Sequence, residues 1–155
     1  MTISIKRVFP TDERVMSLID KLNTYQISLY GVERCNLESP QSLVQNKALM
    51  LGAYDGQTLV GIGAIKLADS YGEIKRMYVE EAYRGSSIAE NILRHLEEYA
   101  RQKGMLRICL ETGNKHHQAL RFYQKQGYSQ IERFGDYSPN QVSMYFEKTV
   151  SSTLQ

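Results

Sequence analysis

The chain has 155 residues, of which 42% are hydrophobic and 23% are charged. This length allows one hydrophobic core, so we expect a single domain over residues 1–150 and a polar tail at residues 151–155. Nineteen basic side chains stand against seventeen acidic ones, and no run of five like charges occurs. This balance argues against a nucleic-acid or membrane face and permits an anionic ligand.

The start of the chain, MTISIKRVFP, lacks the long apolar core of a signal peptide, and no stretch has the apolar length that crosses a bilayer. We therefore expect a soluble, cytoplasmic protein. Cys35 and Cys109 stand alone, without the spacing of a metal site or a redox pair. We interpret both cysteines as structural.

The first half of the chain predicts a strand in ISIKRVF and a helix in PTDERVMSLIDKL, with Thr11 as its N-cap. The periodicity weakens over residues 23–39, which predicts a loop or broken helix, and Ser39-Pro40 then begins a short second helix. ALMLGAY and TLVGIGAIKL flank Asp55-Gly56-Gln57 and predict a hairpin, which GEIKRMYV extends into an antiparallel meander.

The second half alternates helices with strands. An apolar stripe from Ile88 to Ala100 predicts a strongly amphipathic helix that ends at Gly104. MLRICLET predicts a buried strand, HQALRFYQKQG a short helix closed by Gly127, and YSQIERF and VSMYFEK two further strands. The predicted order is β-α-α-β-β-β-α-β-α-β-β, which is an α/β (α+β) fold.

A turn of small residues, Arg84-Gly85-Ser86-Ser87, leads from a strand into the amphipathic helix. The first N–H groups of a helix have no internal partners and carry its positive dipole end, so the turn could hold phosphate oxygens. Alternatively, Ser87 caps the helix and Glu90 reaches back to it in a capping box. The turn is neither a Walker A loop nor a GxGxxG fingerprint, so by itself it favours the capping box.

Three longer segments resemble the Gcn5-related N-acetyltransferase (GNAT) superfamily. GEIKRMYVEEAYRG is similar to the fourth strand and its exit, LETGNKHHQALRFYQKQGY to the fifth strand and the next helix, and FGDYSPNQVSMYFEK to the ending of small bacterial members. Arg84, Gly85 and Ala89 match the central family motif, in which Ser87 replaces the usual glycine. The resemblance implies a mixed, mostly antiparallel sheet of about seven strands, flanked by helices, with a V-shaped split between strands four and five.

The resemblance also implies that acetyl-CoA, the acetyl donor, binds in this split. Its pantetheine arm is expected to hydrogen-bond to the backbone at Met77, Tyr78 and Val79. His116 stands where many members carry an asparagine that touches pantetheine. The pyrophosphate is expected at the amides of the turn and the first helical residues, which are Arg84, Gly85, Ser86, Ser87, Ile88 and Ala89.

Acetyl transfer to an amine needs a base, because a primary amine is mostly protonated at neutral pH, and a proton for the departing thiolate. Glu73 matches the strand-four glutamate that acts as base in histone-acetylating members. On an alternating strand it would share a face with Lys75, Met77 and Val79. Pairing with a lysine or arginine is the alternative role of Glu73. Tyr123 matches the tyrosine that the family places beside the coenzyme sulfur, and a backbone N–H near Met77 is expected to hold the oxyanion.

The acceptor site is expected to form from residues 25–39, where Glu33 and Arg34 add mixed charge, and from residues 134–141, with Tyr137 as a lining side chain. We expect a small-molecule primary amine or amino acid as acceptor, with no nucleic-acid or membrane partner, and leave a homodimer open.

No metal is expected, because His116 and His117 are adjacent, point about 100° apart on a helix and have no third ligand at a useful spacing. An acyl-CoA-binding or sensing module without catalysis is the alternative function, since Ser87 and His116 depart from the family pattern. A third interpretation, a protein-interaction domain on the same scaffold, would need no coenzyme.

Overall fold

The computed structural model describes residues 2–31, 35 and 37–151. The predicted acceptor-region residues Glu33 and Arg34, and residues 152–155 of the predicted tail, lie outside this part of the chain. The strands of the described part are β1 (Ile3–Arg7), β2 (Leu49–Asp55), β3 (Thr58–Leu67), β4 (Gly72–Val79), β5 (Arg107–Gly113), β6 (Ser129–Ile131) and β7 (Ser143–Thr149). Its α-helices are α1 (Glu13–Tyr30), α2 (Pro40–Gln45), α3 (Ile88–Gln102) and α4 (His117–Lys125). The predicted order of elements is confirmed.

The strands form one sheet in the order β1-β2-β3-β4-β5-β7-β6. Neighbouring strands are antiparallel except for β4 and β5, which are parallel. The β4–β5 pair is in register at two positions, Gly72 with Ile108 and Glu73 with Cys109. Beyond them the strands diverge, which confirms the predicted split between strands four and five.

Helices cover both faces of the sheet. α3 and α4 pack on one face, where the buried side chains include Ile74, Val79, Ile92, Leu96 and Tyr123. α1 and α2 pack on the other face, where they include Val15, Leu18, Ile19, Leu43 and Ile62. Each buried aliphatic side chain of this kind stabilises the fold by about 1.5–3 kcal/mol. No helix in the described part of the chain combines the length and the apolar character needed to cross a membrane.

Two of the helices begin at short polar side chains. Asp12, and not the predicted Thr11, is the N-cap of α1, because its carboxylate accepts a hydrogen bond of 2.9 Å from the Arg14 amide. Ser39-Pro40 begins α2 as predicted, and the Ser39 hydroxyl accepts from the Ser42 amide at 3.0 Å.

The C-terminal half of α1 contradicts the predicted loop or broken helix from residue 23 onward, since the helix continues to Tyr30. Its last turns carry polar side chains that bond to other elements, so the apolar periodicity fades while the helix persists. Asn23 accepts from Arg76 of β4, and the Tyr30 hydroxyl accepts from the Lys115 amide at 2.8 Å. These tertiary contacts hold the half of the helix that periodicity missed.

The predicted hairpin is confirmed: Asp55 pairs with Thr58 across a turn in which Gly56 has a φ of 59°. The strand predicted in YSQIERF is shorter than expected, since β6 covers only Ser129–Ile131. Phe134 leaves the strand direction and packs its ring edge-on against three aromatic rings, those of Tyr71, Tyr137 and Tyr145.

Candidate active site

A cleft of about 430 Å³ opens where the pairing of β4 with β5 ends. Its walls are β4 from Ile74 to Val79 and β5 from Leu110 to Thr112. The turn before α3 and one side of α4 line it on one face of the sheet, and Leu22, Tyr25 and Gln26 of α1 line it on the other. The cleft therefore lies within the split of the sheet and has lining residues from both faces.

A bulge in β4 shapes the middle of the cleft. Lys75 pairs with Ala64 and Tyr78 pairs with Ile62, so that Arg76 and Met77 together face the single residue between these β3 partners. Arg76 has a φ of 56°, in the left-handed region. The bulge leaves the backbone of two cleft-lining residues without register partners in β3.

The bulge also overturns one predicted feature of β4. Glu73 and Lys75 share a face as expected, but Met77 and Val79 lie on the opposite face, among the side chains that pack against α3. The extra residue at Arg76 reverses the alternation, so the α1 face receives two successive side chains, Lys75 and Arg76.

The turn before α3 does not form the capping box. Ser87 occupies the N-cap position with a φ of 66°, and within the described residues its side chain makes no capping hydrogen bond. Glu90 pairs with Arg94 one turn later. The left-handed backbone at Ser87, next to Gly85 with a φ of 83°, is the physical reason, since an N-cap side chain reaches the first turn from an extended backbone. The first amides of α3 are left without a side-chain cap.

Two polar side chains fix the shape of this turn. The Ser86 hydroxyl donates to the Tyr83 carbonyl and closes the short 3-10 turn Glu81–Tyr83. Arg84 is exposed at the mouth of the cleft, where its Nε donates to the Val79 carbonyl at 2.8 Å and its guanidinium lies 5.5 Å from the centre of the Tyr78 ring. Arg84 therefore folds back over the end of β4.

His116 lies at the start of α4 and lines the cleft. Its ring meets the Tyr25 ring edge-on at 5.0 Å. Burial, followed by the charge of Arg84, lowers the pKa of His116 to about 4. The imidazole is therefore neutral at neutral pH and offers one donor and one acceptor nitrogen. No group of three His, Cys, Asp or Glu side chains suited to a metal ion occurs in the part of the chain that is described.

Tyr123 faces the cleft from α4 and is 7% exposed. Its ring packs edge-on against Phe122 and Tyr128, at 5.1 and 5.7 Å between centres. Its hydroxyl makes no hydrogen bond with any described residue. Burial raises the pKa of the phenol, so Tyr123 keeps its proton over the physiological range.

Glu73 is 4% exposed and is not one of the described residues that line the cleft. It lies at the last position where β4 and β5 are paired, before the two strands separate to form the cleft. The Tyr137 hydroxyl donates to its carboxylate, and Lys75 lies 3.4 Å away. Pairing with a lysine, the alternative role considered for Glu73, is thus present. Lys75 does line the cleft, and it also approaches Glu38 at 3.5 Å.

Glu111 is a cleft carboxylate that the sequence reasoning missed. It lies two residues beyond Cys109 on β5, on the face that carries Glu73, and accepts a hydrogen bond of 2.6 Å from the Ser143 hydroxyl. Its charge adds to the burial that raises the pKa of Tyr30. The alternation of β5 could have revealed it, because every second side chain of a strand shares a face, but the apolar run MLRICLET concealed the signal.

The end of α1 packs against the connection between β5 and α4. The Tyr30 hydroxyl accepts from the Lys115 amide at 2.8 Å, and Lys115 Nζ donates to the Leu29 carbonyl at 3.4 Å. A Cβ at Gly113 would collide with the Tyr30 ring, so only glycine permits this approach. α1 therefore bridges the split, contacting β4 through its middle and the β5–α4 connection through its end.

The split sheet, the bulged strand and the open start of α3 define a transferase that takes an acyl group from acyl-CoA. Residues 13–128 match the sequence profile of the Acetyltransferase (GNAT) family. The chain belongs to the GNAT family and is an acetyl-CoA-dependent acetyltransferase, which confirms the resemblance and the predicted class of enzyme.

Known proteins support this assignment over nearly the whole chain. An IAA acetyltransferase of Azospirillum brasilense is 35% identical over 148 residues, covering 94% of this chain and 97% of that protein. A crystal structure of a Klebsiella pneumoniae protein assigned as an acyl-CoA N-acyltransferase matches with a TM-score of 0.81 at 32% identity, covering 97% of this chain and 99% of that one. The fold is also similar to that of PaiA N-acetyltransferase of Thermoplasma acidophilum in complex with coenzyme A, with a TM-score of 0.77, 22% identity and coverage of 96% and 99%.

Substitutions at the two neighbouring serines of the turn, Ser86 and Ser87, should change the free energy of unfolding in opposite directions. We expect Ser87→Gly to raise the free energy of unfolding by up to about 1.5 kcal/mol, because the left-handed backbone costs a Cβ-bearing residue about 1–2 kcal/mol and glycine loses about 0.5–1 kcal/mol in backbone entropy. We expect Ser86→Ala to lower it by about 1 kcal/mol, through loss of the bond to Tyr83.

Urea denaturation of both variants beside the unaltered protein measures these changes. The capping box predicts the opposite sign at Ser87, namely a loss of a few tenths of a kcal/mol. A destabilised Ser87→Gly protein would therefore restore the capping role of the hydroxyl.

Proposed function

We propose that this enzyme moves the acetyl group of acetyl-CoA directly to the primary amine of a small molecule inside the cleft between β4 and β5. The observation that carries the proposal is the continuity of the cleft, which joins the uncapped start of α3 to Tyr123 and to Glu111. A coenzyme entering on the α3 face and an amine entering on the α1 face would meet at the bulge.

The residues of the α3 face suit the coenzyme. Backbone groups from Met77 to Val79 line the cleft beside unpaired β5, where an extended pantetheine arm can hydrogen-bond as an added strand would. The pyrophosphate would lie at the amides of residues 84–89, where two left-handed residues and the helix dipole favour an anion. The neutral His116 stands on the opposite wall as a further hydrogen-bonding group.

Three features of the chain would serve the chemical step. The backbone N–H of Met77, which has no register partner in β3, would hold the oxygen that becomes negative when the amine attacks the thioester carbon. Tyr123 would pass its proton to the sulfur as the carbon–sulfur bond breaks, having retained that proton because of its burial. The amine would lose its own proton to a carboxylate on the α1 face.

Glu111 is the carboxylate that we propose for this last role, either directly or through water. It lines the cleft, whereas Glu73 lies behind Lys75 and Tyr137. Glu73 stays a predicted base that would act through those two side chains. The sensing alternative loses one of its arguments, because Ser87 adopts the glycine-like conformation of the turn and leaves the amides of α3 uncapped.

The role of Tyr123 is tested by Tyr123→Phe. We expect kcat to fall by about 100-fold or more, the usual contribution of a positioned proton donor, while KM for acetyl-CoA changes by less than about threefold. The measurement is release of free thiol from acetyl-CoA over a panel of primary amines. Tyr128→Phe is the matched control, since Tyr128 donates to Glu97 at 2.7 Å and does not line the cleft. Unchanged kcat in Tyr123→Phe would count against the proposed acid.

The variants Glu111→Gln and Glu73→Gln distinguish the roles of the two carboxylates. We expect Glu111→Gln to lower kcat/KM by about 100-fold with unchanged binding of acetyl-CoA, because it removes the proton acceptor. Glu73→Gln should act mainly on the melting temperature, since Lys75 loses a partner. The reverse pattern, with a well-folded but inactive Glu73→Gln protein and an active Glu111→Gln protein, would make Glu73 the base.

A further inference from the structure

Arg76 is a buried cation in the wall of the cleft. It lines the cleft on the α1 face, yet its side chain is only 6% exposed. The bulge directs the side chain under α1, next to the acceptor face that carries Lys75 and Glu111. A charge in such a place needs partners of opposite sign or strong hydrogen bonds, because burial takes away its hydration.

The partners of the Arg76 guanidinium in the described part of the chain are all neutral. Nη2 donates to the Asn23 side chain and, at 3.4 Å, to the Ile19 carbonyl, while Nη1 donates to the Gln26 side chain at 3.4 Å. No described carboxylate forms a salt bridge with it. Its Nε has no hydrogen-bond partner, which makes it the one buried side-chain nitrogen or oxygen of the described residues left in this state.

Two carboxylates on this face, Glu38 and Glu73, are engaged with lysines, and Glu111 accepts from the Ser143 hydroxyl. Glu38 lies 3.3 Å from Lys66 and 3.5 Å from Lys75, and Glu73 lies 3.4 Å from Lys75. Burial lowers the pKa of Arg76 to about 10, against the weaker opposing effect of Glu38. Arg76 is therefore still cationic at neutral pH, and no described carboxylate forms a salt bridge with it.

We infer that Arg76 binds a carboxylate of the acceptor, so that the acceptor is an amino acid or another amine that also carries a carboxylate. Gln26 lines the cleft, and its bond to Nη1 is at the long limit for a hydrogen bond. A carboxylate that displaces this amide gives the guanidinium a charged partner and stronger hydrogen bonds. The inference rests on the proposed function, and Glu111 on the other wall complements it as the group that receives the ammonium end.

A structural role is the competing explanation, because Arg76 also ties β4 to α1 through Ile19 and Asn23. The two roles differ in selectivity. If Arg76 only holds α1 against β4, its substitution should lower kcat/KM for every acceptor alike. If it binds a carboxylate, the substitution should lower kcat/KM mainly for acceptors that carry one.

The test compares L-amino acids with their carboxamides, which keep the side chain and the amine but lose the carboxylate charge. For the side chains that the enzyme accepts, we expect kcat/KM to be about 10-fold or more higher for the acid, as one charge-assisted contact provides. The lower amine pKa of a carboxamide works against this expectation, so the comparison is stringent. Arg76→Gln should remove the preference and Arg76→Lys should restore part of it, so that the loss of kcat/KM is about 10-fold or more larger for acids than for carboxamides.

A second measurement needs no turnover and no arginine variant. Thermal shifts of the unaltered protein, saturated with coenzyme A, are compared for N-acetyl-L-amino acids and their carboxamides. The acids should stabilise more. Gln26→Ala, which removes the competing amide, should keep or enlarge the difference.

The outcomes distinguish a failure of the carboxylate site from a failure of the proposed acetyl transfer. Equal rates and equal thermal shifts for acids and carboxamides would overturn the carboxylate site while leaving the acetyltransferase intact, and so would an equal loss for both in Arg76→Gln. Stabilisation by acids without thiol release on any amine would keep the carboxylate site and overturn the proposed direct transfer.

Discussion

The short parallel pairing of β4 with β5 is the constraint on which the rest of the structure depends. The two strands are in register at two positions and then separate. Beyond that point, the facing edges of β4 and β5 in the middle of the seven-stranded sheet no longer pair with each other. Buried backbone groups need partners from another source. α1 crosses the opening on one face, and the remaining space is the cleft, whose exposed strand edges suit a ligand with amide groups of its own.

The bulge in β4 divides this cleft into two chemical environments. It sends Met77 to the apolar face beside α3 and sends Arg76 to the polar face beneath α1. A thioester and its departing sulfur would therefore lie near Tyr123 among hydrophobic side chains, while an amine would lie among the charges around Glu111 and Lys75. One extra residue in a strand would thus separate the proposed donor side from the proposed acceptor side.

The parts of the fold that could be predicted are those with a regular sequence pattern. The alternating strands of the meander, the Gly56 turn and the amphipathic α3 were all evident because local preference and packing agree there. The resemblance located the split, but the chemistry within it depends on features that periodicity does not encode. GEIKRMYV reads as an unbroken strand although Arg76 is bulged, and α1 continues past Asn23 through polar contacts that exist only in the folded chain.

Strained backbone conformations occur at two separate places in the lining of the cleft. The described non-glycine residues with positive φ are Lys47, Arg76 and Ser87, and the last two line the cleft where we propose the acceptor and the pyrophosphate. Such conformations cost energy and persist where the surrounding structure enforces them, commonly at ligand sites. At Ser87 the left-handed backbone leaves the amides of α3 without a side-chain cap, and at Arg76 it accompanies a bulge that turns a cation inward. Both consequences favour negatively charged groups, a diphosphate at one end and a carboxylate at the other, so the same physical device would select both substrates.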